Sequence, residues 1–213
     1  MTGRFRIVVF AMCLSLLTVA EVRFAVAAEP LDRTKQQAIA LFRSVIEEKA
    51  GELGRCSLAP NWIEYPIPEE LARRYLGLKL HAALAPSHPT ARATEVIDPD
   101  GEMTEVFCDD AESASQRDAL VKSFQNGALE AQKEPFKLDQ WLKFRQFQYS
   151  FPVFDGAYRR AVIVSAGSSY NWVKVSEGEV RFIDVHGGAS ALLYIRRDGA
   201  WRRSAEETLY TFN

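Results

Sequence analysis

Near Gln140 the spacing of apolar residues changes, and that change constrains the fold more than any other feature of the chain. Upstream, Ile39, Phe42, Ile46 and Leu53 recur at intervals of three, four and seven, the stripe of an amphipathic helix opening at Leu31-Asp32. Asp32 is placed to cap its start, and Gly51 and Gly54 bracket its end. Pro68-Glu69-Glu70 reads as a second helix start, with Leu71, Tyr75 and Leu78 on one face, running to about 82–85 before Pro86 and Pro89 stop it. A third helix is expected over 113–132, carrying Leu120, Val121, Phe124 and Leu129. Between these two, Asp98-Pro99-Asp100-Gly101 has turn chemistry, which predicts a hairpin with strands at 93–97 and 102–108.

Downstream of Gln140 the period drops to two. Phe147, Tyr149, Phe151 and Val153 alternate with Gln146, Gln148 and Ser150, and Pro152 puts this strand at an edge or near its own end. Asp155-Gly156 turns the chain into a strand at 159–166, and a hairpin follows from 172–175 across Glu177-Gly178 to 180–185. His186-Gly187-Gly188 reads as another turn, and 189–195 pairs through Asp198-Gly199 with 201–204. Helices followed by a meander of about six short strands predict an α+β fold, with the N-terminal helices packed on one face of a C-terminal antiparallel sheet. The expected organisation is a single α+β domain over 28–213, helix-rich to 140 and strand-rich from 141.

The stretch from Gly187 to Trp201, preceded by Phe151-Pro152-Val153-Phe154-Asp155 and an Ala-Val-Ile-Val strand, resembles the C-terminal end of uncharacterised secreted bacterial domains. Some of these are similar in outline to cystatin-like or NTF2-like sheets wrapped on a helix. The resemblance covers about a quarter of the chain. It implies a fold outline and brings no catalytic residues.

The first 27 residues have the layout of a secretory signal peptide: Arg4 and Arg6, an apolar run over 7–20, then Ala25-Val26-Ala27. The run is shorter than the roughly 20 residues a bilayer span needs, and Glu21 and Arg23 block its extension. Cleavage is expected before Ala28, with cleavage after Ala20 or an uncleaved anchor as alternatives. Met12 precedes Cys13 where a lipoprotein would carry a small residue, so Cys13 is not a lipid-attachment site. No transmembrane span follows the leader. Cys56 and Cys108 are then left to pair in an oxidising compartment. No Asn-x-Ser/Thr sequon occurs, which favours a bacterial periplasm over a eukaryotic secretory route.

Removing 1–27 takes away three Arg and one Glu and shifts the net charge from −2 to −4, which excludes the basic footprint of a nucleic-acid binder. The charge is uneven. Residues 143–203 hold ten Lys/Arg against five Asp/Glu, whereas 28–142 carry −7. Arg159, Arg160, Arg181, Arg196, Arg197, Arg202 and Arg203 lie on or beside predicted strands, where a shared face would attract an acidic protein or an anionic envelope component; a solvated sheet face is the plainer alternative.

Several groups could carry chemistry. Asp184 and His186, two apart on a strand, point to one side, so the carboxylate could orient the imidazole as a general base, with Ser168 as a possible nucleophile. His186-Gly187-Gly188 is similar to an esterase oxyanion turn, but Gly167-Ser168-Ser169 lacks the second glycine of a nucleophile elbow. Asp98, Asp100, Glu102, Asp109 and Asp110 resemble the opening of a calcium loop without its remaining ligands. His81 and His88 have no third metal ligand nearby in sequence, and no metal site is assigned. Ser168, Ser169, Tyr170, Asn171 and Trp172 read as a polar, aromatic recognition loop. Cofactor motifs are absent: there is no Gly-x-Gly-x-x-Gly, phosphate-binding loop or Cys-x-x-Cys. These residues predict an exported, non-catalytic binding protein of inhibitor or immunity type, with Tyr170, Asn171, Trp172, Arg196 and Arg202 as contact candidates. A small secreted hydrolase using Asp184 and His186, and a carrier of lipid or another small ligand, are the alternatives.

Overall fold

The computed structural model describes residues 30–77, 91–127, 141–176 and 179–213. The expected leader and the histidines at 81 and 88 lie outside them. Helix α1 (Pro30–Lys49) buries Ala38, Leu41, Phe42 and Val45, which recur every three to four residues. The expected Ile39 and Ile46 flank this stripe and are half-buried, so the buried face is rotated by about one residue from the sequence reading. Since α1 begins at Pro30, Asp32 falls inside the first turn instead of at the cap.

Helix α2 (Glu69–Leu71) widens at once into a π turn, Ala72–Leu76, which keeps Leu71 and Leu76 buried on one side. It ends at Gly77, whose φ of +70° and N–H bond to the Arg73 carbonyl (3.1 Å) close the turn, so this helix is shorter than expected. Leu78 and the region up to 85 lie outside the described residues.

The predicted hairpin over 93–108 is not formed. Its first arm is helix α3 (Ala93–Ile97), because Ala93, Val96 and Ile97 stand at helical spacing and all three are buried in the core with α1. The turn itself is real. Gly101 has φ +71° and the Asp98 carboxylate accepts the Glu102 and Met103 N–H groups, both at 2.9 Å. A 3₁₀ turn, Thr104–Val106, follows. Helix α4 (Asp110–Gln125) starts three residues earlier than predicted, because Asp109 and Glu112 form a capping box: each carboxylate accepts the other's backbone N–H, at 2.8 and 3.0 Å. It stops before Gly127, whose φ is +73°, and Leu129 lies outside the described residues.

Five antiparallel strands follow: β1 (Trp141–Tyr149), β2 (Val153–Phe154), β3 (Arg160–Ser176), β4 (Glu179–Arg197) and β5 (Ala200–Phe212). Their order is β1-β3-β4-β5, with β2 beside β1 on the same edge of β3. The expected turn at Asp155-Gly156 is present, the Asp155 carboxylate accepting the N–H groups of Arg159 (2.7 Å) and Arg160 (3.2 Å). That at Asp198-Gly199 also holds, with positive φ at both residues. Glu177-Gly178 lies outside the described residues, although Ser176 and Glu179 on either side are paired. The remaining breaks do not exist. Ser168–Trp172 and His186-Gly187-Gly188 sit within continuous strands, so about six short strands become four long ones and a two-residue β2.

Glycine at 187 and 188 serves strand contact, not reversal. A Cβ at Gly187 would run into the Gly167 carbonyl oxygen and one at Gly188 into the Tyr210 carbonyl oxygen, so neighbouring backbones come closer here than a side chain permits.

The α+β class, with helices preceding an antiparallel sheet, is the architecture found. Alternation along β3 distributes the core. Ala161 and Ile163 join α1 and α3 on one face, while Val162 and Val164 meet Ile67, Leu71, Ala72 and Leu76 on the other. Helix α4 covers the same second face further along, over Phe144, Tyr170 and Trp172. The long helix and α3 thus occupy one face, and α2 with its π turn and α4 occupy the opposite one.

The β1 edge is closed by the chain itself. Leu58 bridges to Phe147, Ala59 and Ile63 donate to the carbonyls of Phe147 (2.9 Å) and Tyr149 (3.0 Å), and Leu58 in turn bridges to Phe107. The predicted disulfide, Cys56–Cys108, staples these two outer segments together with a Cα–Cα distance of 4.8 Å. Covering an edge in this way removes a template for intermolecular pairing. Among the described residues no helix is long and apolar enough to cross a membrane.

Candidate functional site

Helix α1 covers only half of its face of the sheet. Under it lie Ala161, Ile163, Leu192 and Tyr194, all buried. Beyond its C-terminal end the same face continues through Ser165, Gly167, Ser169 and Asn171 on β3, and Ser190, Gly188, His186 and Asp184 on β4. These are small or polar residues, and the strands form an open groove of about 610 Å³ above them. That volume is in the range of small-molecule sites. Lys143, Arg145 and Phe147 of β1 form one wall, and Arg203, Glu206 and Thr208 of β5 the other. Lys49 and Glu52, at the end of α1, close the bottom.

The charged groups form two clusters. Glu52 accepts Lys49 at 3.0 Å and Arg145 at 2.5 Å, and the Lys49 bond is the main reason its carboxyl is held below the ordinary range. Across the groove Arg203 bridges Glu48 and Glu206, both at 3.2 Å, and Glu48 also accepts the Tyr194 hydroxyl at 3.1 Å. Burial first, then the Glu48 charge, pushes the Tyr194 phenol well above its ordinary value. Tyr149, on the same face opposite Ser165, is fully buried, and its hydroxyl has no hydrogen-bond partner among the described residues.

Asp184 and His186 do share one side of β4, with a third side chain between them. Their nearest polar atoms are 3.9 Å apart, and the buried Asn171 side chain stands between them. Its Nδ2 donates to Asp184 Oδ1 at 2.8 Å and lies 3.3 Å from His186 Nδ1. An Asp–His relay needs Nδ1–H donated to the carboxylate, and here the Asn171 amide lies between Nδ1 and Oδ1. Ser168 is directed to the opposite face of the sheet, since the residue facing His186 across the ladder is Ser169.

The expected recognition loop is mid-strand. Tyr170 and Trp172 stack at 6.2 Å on the α4 face, where Arg117 lies over the Tyr170 ring at 4.6 Å, and Trp172 is 8% exposed. Asn171 alone of the three faces the groove side. The arginines are divided as well. Arg203 lines the groove, and Arg202 and Arg160 lie in one row on the opposite face through Ile195. Arg196 folds back onto the Gly199 carbonyl at 3.2 Å, at the far end of the sheet. Of the acidic group, Asp98 and Asp109 serve local backbone N–H groups, and Asp100 lies 3.8 Å from Arg43. No cluster of three metal-ligating side chains occurs among the described residues.

The sequence reading missed Lys49, Glu52, Lys143, Arg145 and Arg203 as a group. One signal was present, because the alternation found at Phe147 and Tyr149, extended backwards, puts Arg145 and Lys143 on the same face. Glu52 carried no such signal, since it joins the site only through the angle at which α1 crosses the sheet. No protein-family model matches the chain, and no curated protein has a recognisably similar sequence.

Proposed function

We propose that the protein is an exported, non-catalytic binding protein of the periplasm or cell exterior, with the groove beside α1 as its binding site. The observation that carries this reading is the uncovered half of the α1 face, where half-buried small polar residues lie open to solvent between two charged walls. The disulfide supports an oxidising compartment, and the layout of residues 1–27 supports export. The likeness to secreted cystatin-like or NTF2-like domains is part of the same proposal, supported by a long helix laid on an antiparallel sheet.

In its inhibitor or immunity form, this reading has a partner insert an acidic loop into the groove; Arg196 and Arg202, remote from it, are then dispensable. A lipid carrier fits less well, because the open floor is built largely from Ser, Gly and His. Hydrolysis is favoured only by the position of Ser169 opposite His186 and opposed by the Asn171 bridge.

Native mass spectrometry of the protein purified from an envelope fraction tests the proposal. The expected result is a bound ligand retained by His186→Ala and lost in Ser169→Trp, which fills the groove, with the circular dichroism spectrum unchanged. Ester turnover by the wild type that disappears in His186→Ala would overturn the non-catalytic reading. Retention of the same ligand by a folded Ser169→Trp would move the site elsewhere.

A further inference from the structure

We propose that the protein forms a symmetric homodimer in which the outer edges of two β5 strands pair antiparallel. The two edges of the sheet are treated differently. The β1 edge is covered by the chain itself, with Leu58 bridged to Phe147 and the Cys56–Cys108 disulfide outside it. Beyond β5 no segment is paired among the described residues, and residues 202–208 are all exposed. Such an edge presents unpaired N–H and C=O groups to another strand.

Charge specifies the occupant. The segment Arg202-Arg203-Ser204-Ala205-Glu206-Glu207 carries cations on one side of its centre and carboxylates on the other. A two-fold axis between Ser204 and Ala205 therefore sets Arg202 opposite the second copy's Glu207, and Arg203 opposite its Glu206. Opposite residues of an antiparallel pair must also share a face, and in a regular strand residues three or five apart do not. Strand β5 is not regular. Ser204 is an extra residue facing the Leu193/Tyr194 step of β4, and this bulge brings the charges back into phase. Arg203 and Glu206 both line the groove. On the opposite face Arg202 is paired with Ile195, and Glu207 with Ala191 of the core beneath the π turn. Ser204, which bonds the Tyr75 hydroxyl of that turn at 2.5 Å, and Ala205, opposite Leu193, belong to this second face as well. Trp201 and Thr208 lie on the α1 side. The faces thus match in every pair from Trp201–Thr208 to Ser204–Ala205, and a shift of one or two residues either way mixes them. Within one copy Arg203 bonds Glu48 and Glu206, both at 3.2 Å, and Glu207 accepts Arg74. Arg202 has no ion pair among the described residues, so its charge is the one a second copy newly satisfies. Backbone hydrogen bonds hold the pair and the charges fix its register. The axis stands perpendicular to the sheet, so both grooves open on the same side and meet along their β5 walls.

Analytical ultracentrifugation of the protein purified from an envelope fraction, over a range of concentrations, tests the proposal. The expected result is a reversible monomer–dimer equilibrium. Arg202→Glu and Glu207→Arg each set like charges against each other twice per dimer, and each should weaken dimerisation about a hundredfold. Mixed in equal amounts, the two variants regain opposite charges at both positions and should form a heterodimer of near wild-type affinity. Hydrogen exchange on the wild type locates the interface without any substitution. Amides of 201–208 should gain protection as concentration rises, and those of β1 should not. A wild type that stays monomeric, or variants that each dimerise as tightly as wild type, would overturn the proposal. So would a mixture of folded variants that forms no heterodimer, or protection gained elsewhere and not in β5.

Discussion

The two ends of the sheet are built from the same four strands and share almost no chemistry. At the α1 end, Ala161-Val162-Ile163-Val164 and Ala191-Leu192-Leu193-Tyr194 are buried continuously, because both faces are covered. At the other end, Gly167-Ser168-Ser169 pairs with His186-Gly187-Gly188, one face lying toward α4 and the other open. A strand buried on both sides reads as an unbroken apolar run, and a strand open on one side reads as polar alternation. Where neighbouring backbones also converge, only glycine fits. The comparison shows that a Gly/Ser-rich stretch inside a strand can mark a site instead of a turn.

Removing the disulfide should have the largest effect. Cys56→Ala with Cys108→Ala frees the outer segments on the β1 edge, and the chain-entropy model puts the loss at roughly 4 kcal/mol. Urea denaturation with and without reductant measures it, and reductant should leave the double variant unaffected. Next, Ile163→Ala at the doubly covered end should cost about 3 kcal/mol through cavity formation, while Ser169→Ala at the open end should change stability by less than about 0.5 kcal/mol. Equal costs at the two positions would erase the distinction between the ends. Gly188→Ala should cost about 2 kcal/mol, since its Cβ has no room beside the Tyr210 carbonyl. A stability equal to wild type would show that β4 and β5 part without penalty.

The smallest effect concerns pH. The folded-state pKa of Glu52 lies below its ordinary 4.5, chiefly through the Lys49 hydrogen bond. A depressed carboxylate stabilises the fold above the unfolded value and loses that contribution as the pH falls through the folded one. Glu52→Gln should therefore be slightly less stable than wild type at pH 7, with the gap closing in acid below 4.5. Denaturation curves at pH 7 and pH 3 check the sign, and a gap that widened in acid would refute the assignment.

Much of the architecture was legible because period is a local property. The existence of α1, the alternation of Phe147 and Tyr149 in β1, and the turns at Asp155-Gly156 and Asp198-Gly199 are read correctly from short windows. The errors share one cause. Val96 and Ile97 fit a strand or a helix by type, and only the apolar face of α1 favours the helix. Asp109 and Asp110 looked like metal ligands, although Asp109-x-x-Glu112 is a readable capping box. His186-Gly187-Gly188 has turn composition, and nothing local reveals the neighbouring strands pressing against it. At the site, the shared side of Asp184 and His186 was readable, while Asn171 between them came from another strand.

The sequence by itself determined that helices precede an antiparallel sheet, the pairing of Cys56 with Cys108, and which strand residues share a face, since each follows from local spacing or from a choice among very few partners. Tertiary structure alone decided which end of the sheet is covered and that Glu52, bonded to Lys49, meets Arg145 across 93 residues of chain. Those outcomes depend on where α1 stops and how it crosses the strands, and that geometry arises from packing between elements, which no local pattern encodes.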